Sequence, residues 1–318
     1  MCRSGTRILS VEKFVRALLR KLGLIHLARR VWSTIASRRR GIRLTFEGDR
    51  IRVRRGREEI HLAPAHEVYT YDMVVFFDYY FSAVTPEERN GTRVADYSRP
   101  KVHRLRRSLV ELEFPSLPES DESTEMYLGA LQPKEGEVVL DLGAYAGGST
   151  YFFSKAVGPN GCVLAFEPDI TSLQFLRANI ARHALANVEV FDCGVWSENT
   201  TLAFQAEGSM GSSVSALLKR DSNLRETRVI TLSEAAKLAN GRRIDCIKMD
   251  IEGAEVEVLK SAGSFFREHR PRLVIEPHKL DGRMSTDDVS RILQGYGYEV
   301  EVLSQGSQEW PLVRAWPL

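Results

Sequence analysis

The chain has 318 residues, 43% hydrophobic and 27% charged, enough for one large core or a core plus an accessory region. With 44 basic and 42 acidic residues the net charge is only +2, so the molecule as a whole is no polycation. Its four cysteines form no C-x-x-C pair, which argues against a zinc ribbon or a disulfide framework and predicts a reduced, cytoplasmic setting.

Charge is unevenly distributed. Residues 1–57 hold 17 Lys and Arg against 3 Asp and Glu, which leaves 27 basic and 39 acidic residues for the rest. A basic head on an acidic body points to an anionic partner surface. Within the head, residues 10–35 repeat Val11, Phe14, Val15, Leu18, Leu19 and Leu22 at helical spacing, with Arg and Lys on much of the other face. This predicts a basic amphipathic helical segment over residues 1–40, with a break at Gly23. It packs on its own protein or lies against anionic lipid at the inner membrane face, and no module for nucleic acid is visible. No apolar run is long enough for a transmembrane helix. The N-terminus lacks the apolar core and small-residue cleavage site of a signal peptide.

Residues 41–124 read as an accessory region. "IRLTFEGDRIRVRRGREEIHL" alternates apolar and polar residues around Gly48-Asp49, the pattern of a β-hairpin. An aromatic-rich helical or mixed stretch follows to about residue 85, and then a polar, proline-containing connector with a short strand to residue 124.

From residue 125 to 318 the pattern changes. The apolar runs "EVVLDLG", "CVLAFEP", "NVEVFDCGV", "IDCIKMD", "PRLVIEP" and "YEVEVL" alternate with helical stretches. Runs apolar on both faces mark a doubly wound, mostly parallel sheet covered by helices, so the fold class is α/β.

The turn after the first run is the most informative. "VVLDLGAYAGGST" ends a strand on Asp141 and Leu142 and then supplies Gly143 and Gly147. In an open α/β sheet the ligand sits beyond the carboxyl ends of the strands, and the two glycines would let the backbone approach it. The spacing is not G-x-G-x-x-G, and a carboxylate at Asp141 would repel a pyrophosphate. S-adenosylmethionine carries a sulfonium and an ammonium and no phosphate, so an acid there favours it, by direct contact or by holding the turn. Glu167 ends the next strand where an adenosine ribose would be bound, and Asp192, ending the third, could accept from the adenine amino group.

A second acidic cluster comes later. Asp250 and Glu252 follow the strand of "CIKMDIEGAE", with Glu255 three residues on, and Glu276 and His278 end the strand of "PRLVIEPH". Parallel neighbours would bring them to one cleft. Methylating a hydroxyl requires a proton to leave, so His278 is the first candidate for general base and Asp250 the second. Asp250, Glu252 and Glu276 offer an alternative as oxygen ligands of Mg²⁺. Glu252 and Glu255 could equally serve only the dipole of the following helix. Lys248, inside a strand, must pair with a carboxylate. The small-residue stretch 207–216 could act as a lid.

Taken together, "VVLDLGAYAGGST", "LAFEPD", "LRANI", "IKMDIEGAEVEVLKSA" and "LVIEPH" resemble the FkbM family of S-adenosylmethionine-dependent methyltransferases, over about residues 125–305. The resemblance implies a class I methyltransferase fold and O-methylation of a glycan, glycolipid or secondary metabolite. It implies cofactor contacts at Asp141, Gly143, Gly147 and Glu167. "DCGVW" at 192–196 departs from the family pattern. The rival readings are a nicotinamide-dependent oxidoreductase on a similar sheet and a non-catalytic, membrane-associated adaptor with a vestigial cofactor site.

Overall fold

The computed structural model describes residues 25–205, 213–214, 224–280, 283–305 and 310–318. The first part of the basic segment, residues 1–24, and most of the expected lid at 207–216 lie outside the described residues. The chain forms two compact units: the part up to Ser82 with Pro86–Arg99, and Ala83–Thr85 with Pro100–Leu318.

In the first unit Arg43–Phe46, Ile51–Arg55 and Glu58–Leu62 form an antiparallel meander, turning through Gly48-Asp49 as the alternation predicts. Ile51, Val53, Ile60 and Leu62 are all buried. The supposed connector adds two further strands. Thr92–Tyr97 runs parallel to Glu58–Leu62, and Glu87–Arg89 pairs with its outer edge. The polar composition that suggested a loop is a ladder of charges across these strands: Arg93 pairs with Glu58, and Arg89 with Asp96 at 3.0 Å.

The Ile25–Arg39 helix is inverted relative to ordinary burial. It buries Ser33, Ala36 and Ser37, while Leu27, Val31 and Ile35 stay 59%, 48% and 46% exposed beside a half-exposed Trp32. No helix among the described residues is long and apolar enough to cross a membrane.

The second unit begins with a hairpin, Lys101–Arg104 with Glu111–Phe114. This is why the boundary falls near residue 100 and not at 124/125. The Asn179 side chain accepts from the Glu113 backbone amide and donates to its carbonyl, both at 2.8 Å, which ties the hairpin to the helix Ile170–Arg182.

Its main sheet has seven strands, numbered here β1 (Val138–Leu142), β2 (Cys162–Phe166), β3 (Val188–Phe191), β4 (Cys246–Met249), β5 (Arg272–Ile275), β6 (Tyr298–Ser304) and β7 (Pro311–Pro317). Their order is 3-2-1-4-5-7-6, parallel except for β7, which runs antiparallel to both β5 and β6. Every residue of β1 and β4 is buried. Alternate side chains pack on opposite faces, as pleating requires. Leu140, Leu142, Ile247, Met249, Leu273 and Ile275 meet one layer of helices. Val139, Cys246 and Val274 meet the other, with Tyr127 from α1 (Asp121–Leu131) and Phe153 from α2 (Gly148–Val157). The sheet is therefore the α/β, doubly wound, mostly parallel sheet expected. Strand order reverses between β1 and β4, so the ligand crevice opens at their carboxyl ends. Cys162, Cys193 and Cys246 are free thiols.

Candidate active site

The crevice starts at the turn joining β1 to α2. Gly143 and Gly147 have φ of 77° and 88°, a region open to glycine at little cost. What demands these glycines is internal packing. A Cβ on Gly143 would lie 1.9 Å from the Asp250 carbonyl oxygen, and one on Gly147 would lie 2.7 Å from Leu176 Cδ1. The close approach that the sequence suggested for a ligand is thus made by the end of β4 and by the helix Ile170–Arg182. Tyr145 is also left-handed, at φ 49°. Its amide donates to Glu167 Oε2 at 2.7 Å and its hydroxyl to the Leu117 carbonyl at 2.9 Å, which hold the turn in that conformation.

Asp141 is fully buried. Its Oδ2 accepts from Ser149 Oγ at 2.9 Å and from Thr150 Oγ1 at 2.5 Å, so it clamps the first turn of α2. Its Oδ1 accepts no hydrogen bond and faces Lys248 Nζ at 3.5 Å. Of the two roles open to this acid, holding the turn is the one its contacts fill. Lys248, in register with Asp141 on β4, is equally buried and donates to the Gly143 carbonyl at 2.7 Å. Burial alone would lower its pKa, but Asp141, Asp250, Glu119 and Glu276 outweigh that and raise it. The lysine is therefore the fixed cation at the reversal point.

Glu119, just ahead of α1, has no motif to mark it in the sequence. Its Oε2 accepts the Ser149 amide at 3.3 Å, at the N-terminus of α2, and a Cβ on Gly148 would lie 2.3 Å from that oxygen. Burial pushes its pKa up to about 7. Glu167, at the end of β2, accepts the amides of Tyr145 and Asp169, each at 2.7 Å, and burial pushes it up to about 8. Asp192, after β3, is exposed. β3 pairs with β2, and the Glu167 amide donates to the Phe191 carbonyl at 3.2 Å, so Asp192 follows at the same sheet edge beside Glu167.

The second cluster assembles as parallel pairing predicts. Asp250 and Glu252 follow β4, and Glu276 and His278 follow β5. Glu255 is completely buried at the start of the helix Glu255–Ser261. Its Oε1 accepts the amides of Ile251 at 3.3 Å and Gly253 at 3.1 Å. The same oxygen lies 2.9 Å from His278 Nδ1. His278 Nε2 then stands 3.4 Å from Glu252 Oε2 and 3.6 Å from Asp250 Oδ1. Glu276 does not join this group. Its Oε2 accepts the Tyr127 hydroxyl at 2.9 Å, so the oxygen-only trio expected for Mg²⁺ is not what the fold brings together. His278 takes the third place, with Asp250 and Glu252. Burial pushes Asp250 up to about 6 and Glu252 up to about 8. Burial would lower His278, but Glu252, Glu255 and Asp250 raise it well above its ordinary value.

Residues 141–300 match the model of the "Methyltransferase FkbM domain" family. The chain is similar to "Methyltransferase 1" of Beauveria bassiana, 22% identical over 184 residues that cover 52% of this chain and 73% of that protein. It is also similar to the AMB antimetabolite synthetase AmbE of Pseudomonas aeruginosa, 28% identical over 206 residues, covering 52% of this chain and 10% of that much longer protein. Among solved structures, an FkbM methyltransferase from Methylobacillus flagellatus is 20% identical, with a TM-score of 0.43, over 61% of this chain and 50% of that one.

Proposed function

The chain belongs to the FkbM methyltransferase family, and from that premise we propose that it transfers a methyl group from S-adenosylmethionine to a hydroxyl of a glycan, glycolipid or secondary metabolite. The observation that carries this is the occupied turn. The N-terminus of α2, where a dinucleotide fold would seat a pyrophosphate, already holds the carboxylate of Glu119 on the Ser149 amide and that of buried Asp141 on the Ser149 hydroxyl. Acids at that position repel phosphate and suit a cationic ligand, which disfavours a nicotinamide coenzyme.

These residues fit the methyl donor. Glu119 and Glu167 line the turn, and buried Asp141 holds it from beneath, paired with Lys248. Glu119 would face its positive groups and Glu167 its ribose. When bound, S-adenosylmethionine supplies a methyl carbon on a sulfonium, open to in-line displacement by an acceptor oxygen. The chain's own work is positioning and proton handling. Burial places Asp250 at about 6 and Glu252 at about 8, so these two carboxyls exchange protons near neutral pH. Either carboxylate can receive the acceptor's proton, with His278 Nε2 held 3.4 and 3.6 Å from them.

Calorimetric titration tests the donor. S-adenosylmethionine should bind, and no binding at millimolar concentration by the folded chain would reject the reading. An NADH fluorescence change would favour the oxidoreductase instead. Asp250→Asn should lower turnover by about 10²-fold or more with donor affinity unchanged, and full turnover would remove the cluster from the chemistry. A base-stable methyl ether in the product would identify the acceptor atom as a hydroxyl oxygen.

The inverted Ile25–Arg39 helix supports a second element of this reading, peripheral contact with an anionic membrane face. Its outward Leu27, Val31 and Ile35 adjoin exposed Arg38, Arg39 and Arg40, the pairing of apolar and basic groups that binds acidic lipid. The full chain should float with vesicles containing phosphatidylglycerol. A Leu27→Glu/Val31→Glu/Ile35→Glu variant should not. Equal flotation of both, or of neither, would overturn the contact.

A further inference from the structure

We propose that Asp250, Glu252 and His278 form a binding site for a divalent first-row transition ion, with Glu255 as the residue that orients the histidine. This site rests on the reading of the crevice as a methyl-transfer centre.

The first ground is spacing. Nε2 of His278 stands 3.4 Å from Glu252 and 3.6 Å from Asp250. Both distances exceed those of strong charge-assisted hydrogen bonds, which close to about 2.7–2.9 Å. They match what a shared ion imposes. Two donors each about 2.1 Å from one metal and roughly 110° apart stand about 3.4 Å from each other. One ligand atom from each of the three residues falls within 4.8 Å of the others. A hydrogen-bonded cluster would have closed further.

The second ground is how His278 is held. Nδ1 is engaged by Glu255 at 2.9 Å, which fixes Nδ1 as the protonated nitrogen and turns Nε2 toward the two carboxylates. A carboxylate behind a histidine is the usual support of a metal-bound imidazole. Glu255 is completely buried, its Oε1 is braced by two backbone amides, and its Oε2 has no hydrogen-bond partner. An acid buried this way is costly unless positive charge sits nearby. Lys248 reaches Asp141, the Gly143 carbonyl and, at 3.9 Å, Asp250. Glu252 and Glu255 therefore depend on His278 for positive charge, and an ion bound at Nε2 would supply that charge in place of the imidazolium proton.

The third ground is access. The side chains of Asp250 and Glu252 each keep 27% of their surface exposed, and His278 keeps 15%. Three protein donors with one side open leave room for water or an oxygen of the acceptor. One nitrogen and two oxygen donors favour Mn²⁺ or Fe²⁺ over the all-oxygen preference of Mg²⁺. An ion of this kind lowers the pKa of an alcohol bound to it.

The test uses Mn²⁺ itself on the full chain. Electron paramagnetic resonance should show one bound Mn²⁺ per chain with micromolar affinity. The electron spin echo of that ion should carry nitrogen modulation from an imidazole ligand. His278→Ala should remove the modulation and weaken binding by at least tenfold. Glu255→Gln, which touches no ion, should weaken it by about 10–100-fold. Donor binding is titrated on the same samples. Wild-type chain that binds S-adenosylmethionine but leaves millimolar Mn²⁺ free, or that holds Mn²⁺ without nitrogen modulation, overturns the metal site while leaving the methyltransferase reading intact. Loss of donor binding in the wild type sinks that reading instead.

Discussion

Replacing Lys248 by Met should destabilise the second unit more than any exposed substitution could. Lys248 Nζ and Asp141 Oδ1 are 3.5 Å apart and both side chains are buried. Coulomb's law at that distance, with an effective dielectric of about 20, gives about 5 kcal/mol. Removing one member of such a pair leaves the other charge uncompensated and costs about 3–5 kcal/mol. For a unit of this size each kcal/mol lowers Tm by about 2–4 °C, so the transition of this unit should fall by about 6–20 °C. Asp141→Leu should cost a similar amount, with additional loss from freeing Ser149 and Thr150. The double variant should cost less than the sum of the two, by about 2 kcal/mol or more, because the Asp141 charge that Lys248→Met leaves uncompensated is then absent. Calorimetry of the four proteins completes the cycle. A loss below about 1 kcal/mol for Lys248→Met, or strictly additive effects, would show that the pair does not organise the reversal point.

Two further outcomes follow from the same geometry. Gly143→Ala should cost about 2–6 kcal/mol and abolish donor binding, because it adds left-handed strain to a 1.9 Å overlap with the Asp250 carbonyl; urea unfolding that matches the wild type would contradict this. Burial raises Glu167 to about 8, so the folded state holds a proton that the unfolded state releases above about 4.5. Its stabilising contribution is complete below that pH and is lost as pH rises toward about 8. Glu167→Gln should flatten the fall of Tm over this range, and an unchanged slope would refute the assignment.

The sheet and the placement of Asp141, Glu167, Asp250 and His278 were legible because each ends an apolar run, and parallel strands put their carboxyl ends on one edge. The roles were less legible than the positions. The sequence leaves Asp141 open between direct contact with the donor and holding the turn, because the hydroxyls it accepts from, Ser149 and Thr150, belong to a helix whose start cannot be fixed from small residues alone. Glu119 and Tyr127 went unseen because they reach the crevice from ahead of β1, far along the chain from the groups they meet. The strands at 87–97 were hidden because one of them pairs in parallel across some thirty residues, with charged partners in place of apolar alternation.

Charge accounts for how these parts work together. Lys248 is set among Glu119, Asp141, Asp250 and Glu276, and His278 among Asp250, Glu252 and Glu255. Burial, reinforced by the neighbouring acids, raises Glu119, Glu167, Asp250 and Glu252 above their ordinary range, so these carboxyls hold protons at neutral or mildly acidic pH. A bound cation replaces such protons without the energetic cost of leaving carboxylates uncompensated. The acids divide into two places, one beneath the β1 turn and one beyond β4 and β5. The positive donor suits the first place. The acceptor's proton, or an ion standing in for it, suits the second. Binding of S-adenosylmethionine should therefore release protons from Glu119, and calorimetry in buffers of different ionisation enthalpy would detect that release.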